Sequence, residues 1–458
     1  MTFKKPIARL IAALLPFTLI ACGGGGSSSS SGGSAATPQF SATVARQLDD
    51  AAVDITTAFA SSVAFDVCSA CISRDYAMAY VAAHDTLNGI KRSYEPLVYT
   101  GLSQPDADPN AALTAAMRAV FRATLPSQST LFEPVYAAIL AGIADGSAKS
   151  KGIALGEAVA QAVLATRQTD GAGSDNALPD GYVMPGHVPA AAGVYALTDG
   201  ATQLAVPGWG KVAPFAITGV SGYLSQLAAP YAGDLQSAAY RADYAEVRCT
   251  GGTVATPSGC VTTRAGGDDV KARFWFENSP TMWNRIATTV ANANSLDAAA
   301  RVRLHAVLST AIADSLIVSY AAQYQFNLWR PETAIRYAAL ADSAATADTT
   351  WQALGYADND RRTPASPGHT AGDVAAAGAA QAVLDSVFAT GARGFSVTSS
   401  SAPGATRSFV DFAAAARESA DAQVLLGYNF RSAVEDGLTI GRRIGGDIVA
   451  TKMRAVAQ

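Results

Sequence analysis

Residues 323–337 read QYQFNLWRPETAIRY, and this stretch decides more about the fold than any other because it hands one helix on to the next through an Arg-Pro pair. Pro331 suits the first position of a helix, where its missing N–H is not needed, so PETAIRYAAL is expected to open a new helix. Upstream, Leu304, Val307, Leu308, Ala311, Ile312 and Ser315 recur at i, i+3, i+4 spacing, the pattern of a helix with one core-facing stripe. Gln323 stands two helical turns before Arg330, so both side chains face one pocket if the helix persists. Asp314 falls near the same core. A carboxylate there needs a partner, and the expectation is that it ties two helices together.

The whole chain fits a helical reading. Of its 458 residues 49% are hydrophobic and only 15% charged, with Ala-rich runs such as DVAAAGAAQAVL that suit closely packed helices. The net charge of -4 becomes -7 once the first 21 residues, with Lys4, Lys5 and Arg9, are removed. Such a balance excludes a nucleic-acid partner.

The chain opens on an address. MTFKKPIARL is basic, and LIAALLPFTLIA is too short to cross a hydrocarbon core of about 30 Å as a helix, so residues 1–21 read as a signal peptide. Leu19, Ile20, Ala21 and Cys22 resemble a bacterial lipobox, in which the Cys becomes lipidated and N-terminal. The run GGGGSSSSSGGS cannot continue a helix, which makes residues 22–38 a flexible tether and 39–458 the helical domain. Gly23 in place of Asp resembles the pattern sorted to an outer membrane. The expectation is an exported protein whose membrane partner is reached through lipid on Cys22. In an oxidising compartment Cys68, Cys71, Cys249 and Cys260 are expected to form disulfides. Four cysteines allow three pairings, and proximity favours Cys68 with Cys71 and Cys249 with Cys260.

From Gln39 to about Arg167 the segments read as helices divided by Pro, Gly and Asp clusters. Residues 168–234 turn to Gly, Pro and scattered aromatics, which suits an irregular wrap over a helical body. Helical patterning returns at Gln236. Within SPGHTAGD, Thr370 and Asp373 have capping-box spacing, placing His369 just outside a helix N-terminus, an end that attracts anions. ADAQVLLGYNFRSAVEDGLTIGRRIG enters a last amphipathic helix through Gly427.

These blocks, with RDYAMAYVAAHDTLNGIKRSYEPLVY, PGWGKVAPFAI, AYRADYAEVR and ARFWFENSPTMWNRIA, make the chain resemble the bacterial branch of the vanadium-dependent haloperoxidases. That family shares its fold with type-2 phosphatidic acid phosphatases and bacterial acid phosphatases. The resemblance implies an all-α fold on a four-helix bundle, peroxide-dependent halide oxidation on vanadate, and an oxyanion pocket built from three segments, here 323–331, 366–370 and 422–430. The family pattern is Lys, six residues and Arg-Pro; then Pro-Ser-Gly-His; then Ser-Arg, five residues and His. Cations and the Ser hydroxyl cradle the oxyanion, the middle His moves a proton, and the last His bonds vanadium or attacks phosphorus. Arg330, Gly368 and His369 match this pattern. Gln323 stands in place of the Lys, Pro367 of the Ser, Gln423 of the second Arg and Asn429 of the last His.

An uncharged carboxamide neither ligates like imidazole nor attacks phosphorus. No vanadate cofactor is therefore expected unless the family site works. Three readings follow: a pseudoenzyme or binding protein with an unknown small-molecule ligand held by Gln323, Arg330, Gly368, His369, Gln423 and Asn429; an enzyme in which Arg330 orients an anionic group and His369 moves a proton without metal; or a working haloperoxidase or phosphatase. Arg330 could instead be a structural ion pair with Asp314 or Glu332. His84, and His305 near an outward helix surface, are expected to be structural or solvated, and His187 falls in the irregular wrap.

Overall fold

The computed structural model describes residues 39–62, 65–198, 200–357 and 363–456, with backbone alone for 65–68, 356 and 357. The expected signal peptide, tether and lipidated Cys22 lie outside the described residues.

Five helices come first: α1 (Ala42–Ala60), α2 (Phe65–Ile90), α3 (Pro109–Thr124), α4 (Ser129–Ala141) and α5 (Ser147–Thr166). Ser41 caps α1 by accepting from Val44 N, and Asp108 caps α3 by accepting from Asn110 and Ala111 N, where side-chain oxygens meet the unpaired N–H groups of a first turn. Residues 168–234 follow as the expected irregular wrap, with only short turns and one four-residue helix, α6 (Ser221–Leu224). Then come α7 (Ala238–Thr250), α8 (Asp268–Phe274), α9 (Ser279–Ala293), α10 (Ala298–Phe326), α11 (Pro331–Arg336), α12 (Ala338–Ala341), α13 (Gly372–Val387), α14 (Phe412–Leu425) and α15 (Arg431–Thr451). One antiparallel hairpin, β1 (Phe395–Thr398) with β2 (Thr406–Phe409), interrupts this all-α protein.

Helix α10 is the axis. It packs against α2 on one side and against α13 and α15 on the other, and α3 with α5 flank α2. Its burial extends round the helix, because two sets of neighbours cover it where the sequence pattern called for one stripe. His305, expected near the surface, is fully buried for that reason: Nδ1 lies 2.9 Å from Asn284 Oδ1, and the ring stacks on Tyr80. His84 is structural as expected, buried with Nδ1 2.9 Å from Asp85 Oδ1, while Asp85 accepts the N–H groups of Leu97, Val98 and Tyr99.

Asp314 ties α10 to the wrap instead of to a second helix. Its carboxylate accepts the backbone N–H groups of Phe215 at 2.6 Å, Ala216 at 2.8 Å and Ile217 at 2.9 Å. Burial pushes this carboxyl up to about 6, opposed by those three N–H donors and by Arg167.

Small residues let α13 and α15 meet closely. Gly378 has room for no Cβ, which would lie 2.5 Å from Leu438 O, and at Gly437 one would lie 2.8 Å from Ala371 O. The Cys249–Cys260 disulfide is formed and closes the loop after α7. The expected Cys68–Cys71 bridge lies outside the described residues, because the side chain of Cys68 is not described.

Candidate functional site

Three chain crossings meet at the C-terminal end of α10. Helix α10 stops at Phe326 because Asn327 turns left-handed, with φ of 50° and its N–H returned to Gln323 O. Gln323 therefore sits on the last helical turn, whereas Arg330 sits beyond the break, in extended backbone just before Pro331. The two do not share a helix as the spacing implied. They still line one cleft, because the chain folds back under the 364–370 loop, where Gly368 N donates to Leu328 O at 2.7 Å.

The cleft encloses a cavity of about 50 Å³. Gln323, Arg330, Gln423 and Asn429, expected from sequence, all line it. Ser69, Tyr320, Ser366 and Asp373, not singled out as pocket residues, line it as well. Arg330 is held on three sides: Nε donates to Ser366 O at 2.8 Å, Nη2 to Ser366 Oγ at 3.0 Å, and Nη1 to Tyr428 O at 3.0 Å. Its expected pairing with Asp314 is not formed, as that carboxylate is engaged by the wrap, and Glu332 pairs with Arg336 at 2.7 Å. Among the described residues that line the cleft, Arg330 is the only Lys or Arg.

Gln423 sits in the last turn of α14, and its carbonyl accepts the N–H groups of Tyr428 and Asn429, so the turn through Gly427 delivers Asn429 to the cleft. Gly427 has φ of +76°, and a side chain there would press on Trp351 and Ala353. Asn429 Nδ2 donates to Gly368 O at 2.9 Å, which pins this last crossing to the middle loop. Gln323 Nε2 donates to Thr370 O at 2.9 Å, while its Oε1 is buried with no hydrogen-bond partner among the described residues.

Helix α13 begins at Gly372, with no side chain capping it, so the Thr370–Asp373 capping box is not formed. Thr370 Oγ1 instead meets Ser319 Oγ at 2.8 Å, and Asp373 Oδ1 accepts from Ser69 Oγ at 3.0 Å. Burial raises the Asp373 carboxyl above the usual range, against the Ser69 bond and the Arg330 charge.

His369 is not among the residues lining the cleft. It is fully buried, with Nε2 3.1 Å from Asp436 Oδ2 but without hydrogen-bond alignment, and its ring meets Phe326 edge-on at 5.5 Å. Gly368 contributes backbone; a Cβ there would meet Trp329 O at 3.0 Å. His187 lies apart, exposed, beside a second cavity with Glu332 and Arg336. Ser69 hid in sequence between two cysteines, Ser366 beside a Pro-Gly turn, and Asp373 behind its cap-like spacing. Among the described residues no cluster of three His, Cys, Asp or Glu is placed to hold a metal ion.

Residues 303–458 match the family model for the VCPO second helical-bundle domain. A solved bacterial vanadium-dependent iodoperoxidase superposes with a TM-score of 0.70 at 23% identity, covering 90% of this chain and 98% of that one. The apo form of a bacterial vanadium-dependent chloroperoxidase gives 0.65 at 14% identity, covering 84% and 95%. A holo-type bacterial chloroperoxidase structure gives 0.63 at 14% identity, covering 91% and 96%. No curated protein matches.

Proposed function

We propose, from a chain that has the fold of the bacterial vanadium haloperoxidases and resembles their second helical bundle over residues 303–458, that this protein keeps the scaffold as a binding protein or pseudoenzyme without vanadate. The observation that carries the proposal is the donor set of the cleft. Where the family pattern has Lys and a second Arg, the lining offers the amides Gln323 and Gln423, and Asn429 replaces the imidazole. Charge-assisted hydrogen bonds contribute about 1.5–3 kcal/mol each, so two lost cations remove roughly 3–6 kcal/mol of oxyanion binding, about two to four decades in affinity. The Asp373 carboxyl in the same lining opposes an oxyanion as well. These residues do not fit vanadate.

The test restores the family residues. Gln323→Lys, Gln423→Arg and Asn429→His together should raise affinity for vanadate by at least about a hundredfold if charge is the deficit. No gain in a folded triple variant would reject that cause.

A second reading, metal-free acid-base chemistry, draws support from Asp373. Burial raises its carboxyl, and it lines the cleft that His369 does not. Turnover of any substrate that disappears in Asp373→Asn and survives chelators would favour this reading.

Export remains part of the proposal. Lipid on Cys22 would tether the helical domain to a bacterial outer membrane, and Cys22→Ser should release the protein from the membrane fraction. Retention of that variant on membranes would oppose it.

A further inference from the structure

We infer that the cavity beside His187 is a second binding site, separate from the cleft, for a small neutral hydroxylated molecule of the size of a single sugar ring. This cavity measures about 270 Å³ against about 50 Å³ for the cleft, and the two share no lining residue among those described. Its volume lies near the lower end of the roughly 300–1,000 Å³ of small-ligand pockets. Both draw on the same short helix: Arg330, which lines the cleft, stands just before α11, and Glu332, Thr333 and Arg336 of α11 line the second cavity.

The charged groups here are already engaged with the protein. Glu332, 2% exposed, pairs with Arg336 at 2.7 Å and accepts from Thr363 Oγ1 at 2.5 Å, while Arg336 Nε donates to Trp351 O at 2.9 Å. A charged ligand would have to part that pair and leave a buried charge unmet, which is strongly unfavourable. The uncharged groups stand open. Thr333 is 5% exposed and lines the cavity, yet its hydroxyl has no hydrogen-bond partner among the described residues and is not sealed from solvent. Tyr337, Thr349 and His187 line it too, with side chains that make no hydrogen bond to described residues. Ligand hydroxyls answer such a lining, because each donates one hydrogen bond and accepts others. Water meets the same groups, but it gains nothing from Tyr337 and Leu197, against which the C–H face of a sugar ring can lie.

The experiment titrates the full chain, kept in detergent, with glucose, galactose, mannose, glycine and inorganic phosphate by calorimetry and ligand-observed NMR. Saturable binding of at least one of the sugars is expected, weakened about fivefold or more by Thr333→Val, which keeps the shape and removes the hydroxyl. Tyr337→Phe, at a half-buried position, is the second variant should Thr333→Val unfold, with folding checked by circular dichroism. Absence of sugar binding, or sugar binding unchanged in the folded variants, overturns the inference. Glycine or phosphate bound in place of sugar, and weakened by the same variants, overturns it as well, because the ligand would then be charged. The reading of the cleft stands in each case, since none of its residues is altered.

Discussion

Replacing Gly441 by Ala probes the packing that shapes the cleft, because α13 carries Asp373 on its first turn and α15 follows directly from Asn429. A Cβ at Gly441 would collide with the Ala375 carbonyl oxygen and lie 2.8 Å from its carbonyl carbon and 2.9 Å from Ala379 N, all rigid helix backbone. Ordinary carbon contacts begin near 3.5 Å, so the helices must part by about 0.7 Å or more. Overpacking on this scale costs about 1–3 kcal/mol. Gly446, on the same helix, is the control: a Cβ there meets nothing within 4 Å. Both substitutions gain the same helix propensity, about 1 kcal/mol, so their difference isolates the contact. Urea denaturation followed by circular dichroism should place Gly441→Ala about 1–3 kcal/mol below Gly446→Ala. Equal stability within about 0.5 kcal/mol would refute the claim that α13 and α15 touch backbone to backbone here.

Asp314→Ala should strip three backbone N–H groups of their acceptor, at about 1–3 kcal/mol each, and expose residues 213–217 to limited proteolysis; unchanged cleavage would argue against its role in holding the wrap. Opening the Cys249–Cys260 bridge by double Ser substitution should cost about 3 kcal/mol from the entropy of its short loop, read as a lower urea midpoint. The Asp373 carboxyl is raised in the folded protein above its ordinary value of 3.8, so the unfolded chain releases the proton first. Stability from this group is therefore full below that value and falls as pH rises through the folded one. Asp373→Asn should flatten that descent in urea midpoints taken across the acid range, and a slope identical to the parent would show that the carboxyl carries no such burden.

The all-helical architecture was legible because helices announce themselves locally, through stripes such as Leu304 to Ile312, through Pro331 at a helix start and through the change of composition at residues 168–234. Burial all round α10 was not, since a stripe reports one neighbour and says nothing of a second layer; His305 was misplaced for that reason. Asp314 was recognisable as a buried carboxylate, yet its partners come from about a hundred residues upstream, beyond any spacing rule. Within the cleft, sequence brought Gln323, Arg330, Gln423 and Asn429 together through family resemblance, and the geometry agrees on those four. It missed Ser69 and Asp373, and placed Ser366 in a pocket segment without giving it a role, because short polar side chains near cysteines, Pro-Gly turns and helix starts have ordinary local explanations. His369 shows the limit of a matched motif: the letter is kept while the ring packs against Phe326 and Asp436.

The central claim is that the described lining of the cleft, one guanidinium among amides, cannot hold a multiply charged tetrahedral oxyanion. Calorimetric titration of the unmodified protein with orthovanadate, with peroxide-dependent halogenation assayed in the same samples, measures it directly. The account predicts no saturable binding below about millimolar vanadate and no halogenation. Micromolar binding accompanied by turnover would contradict it.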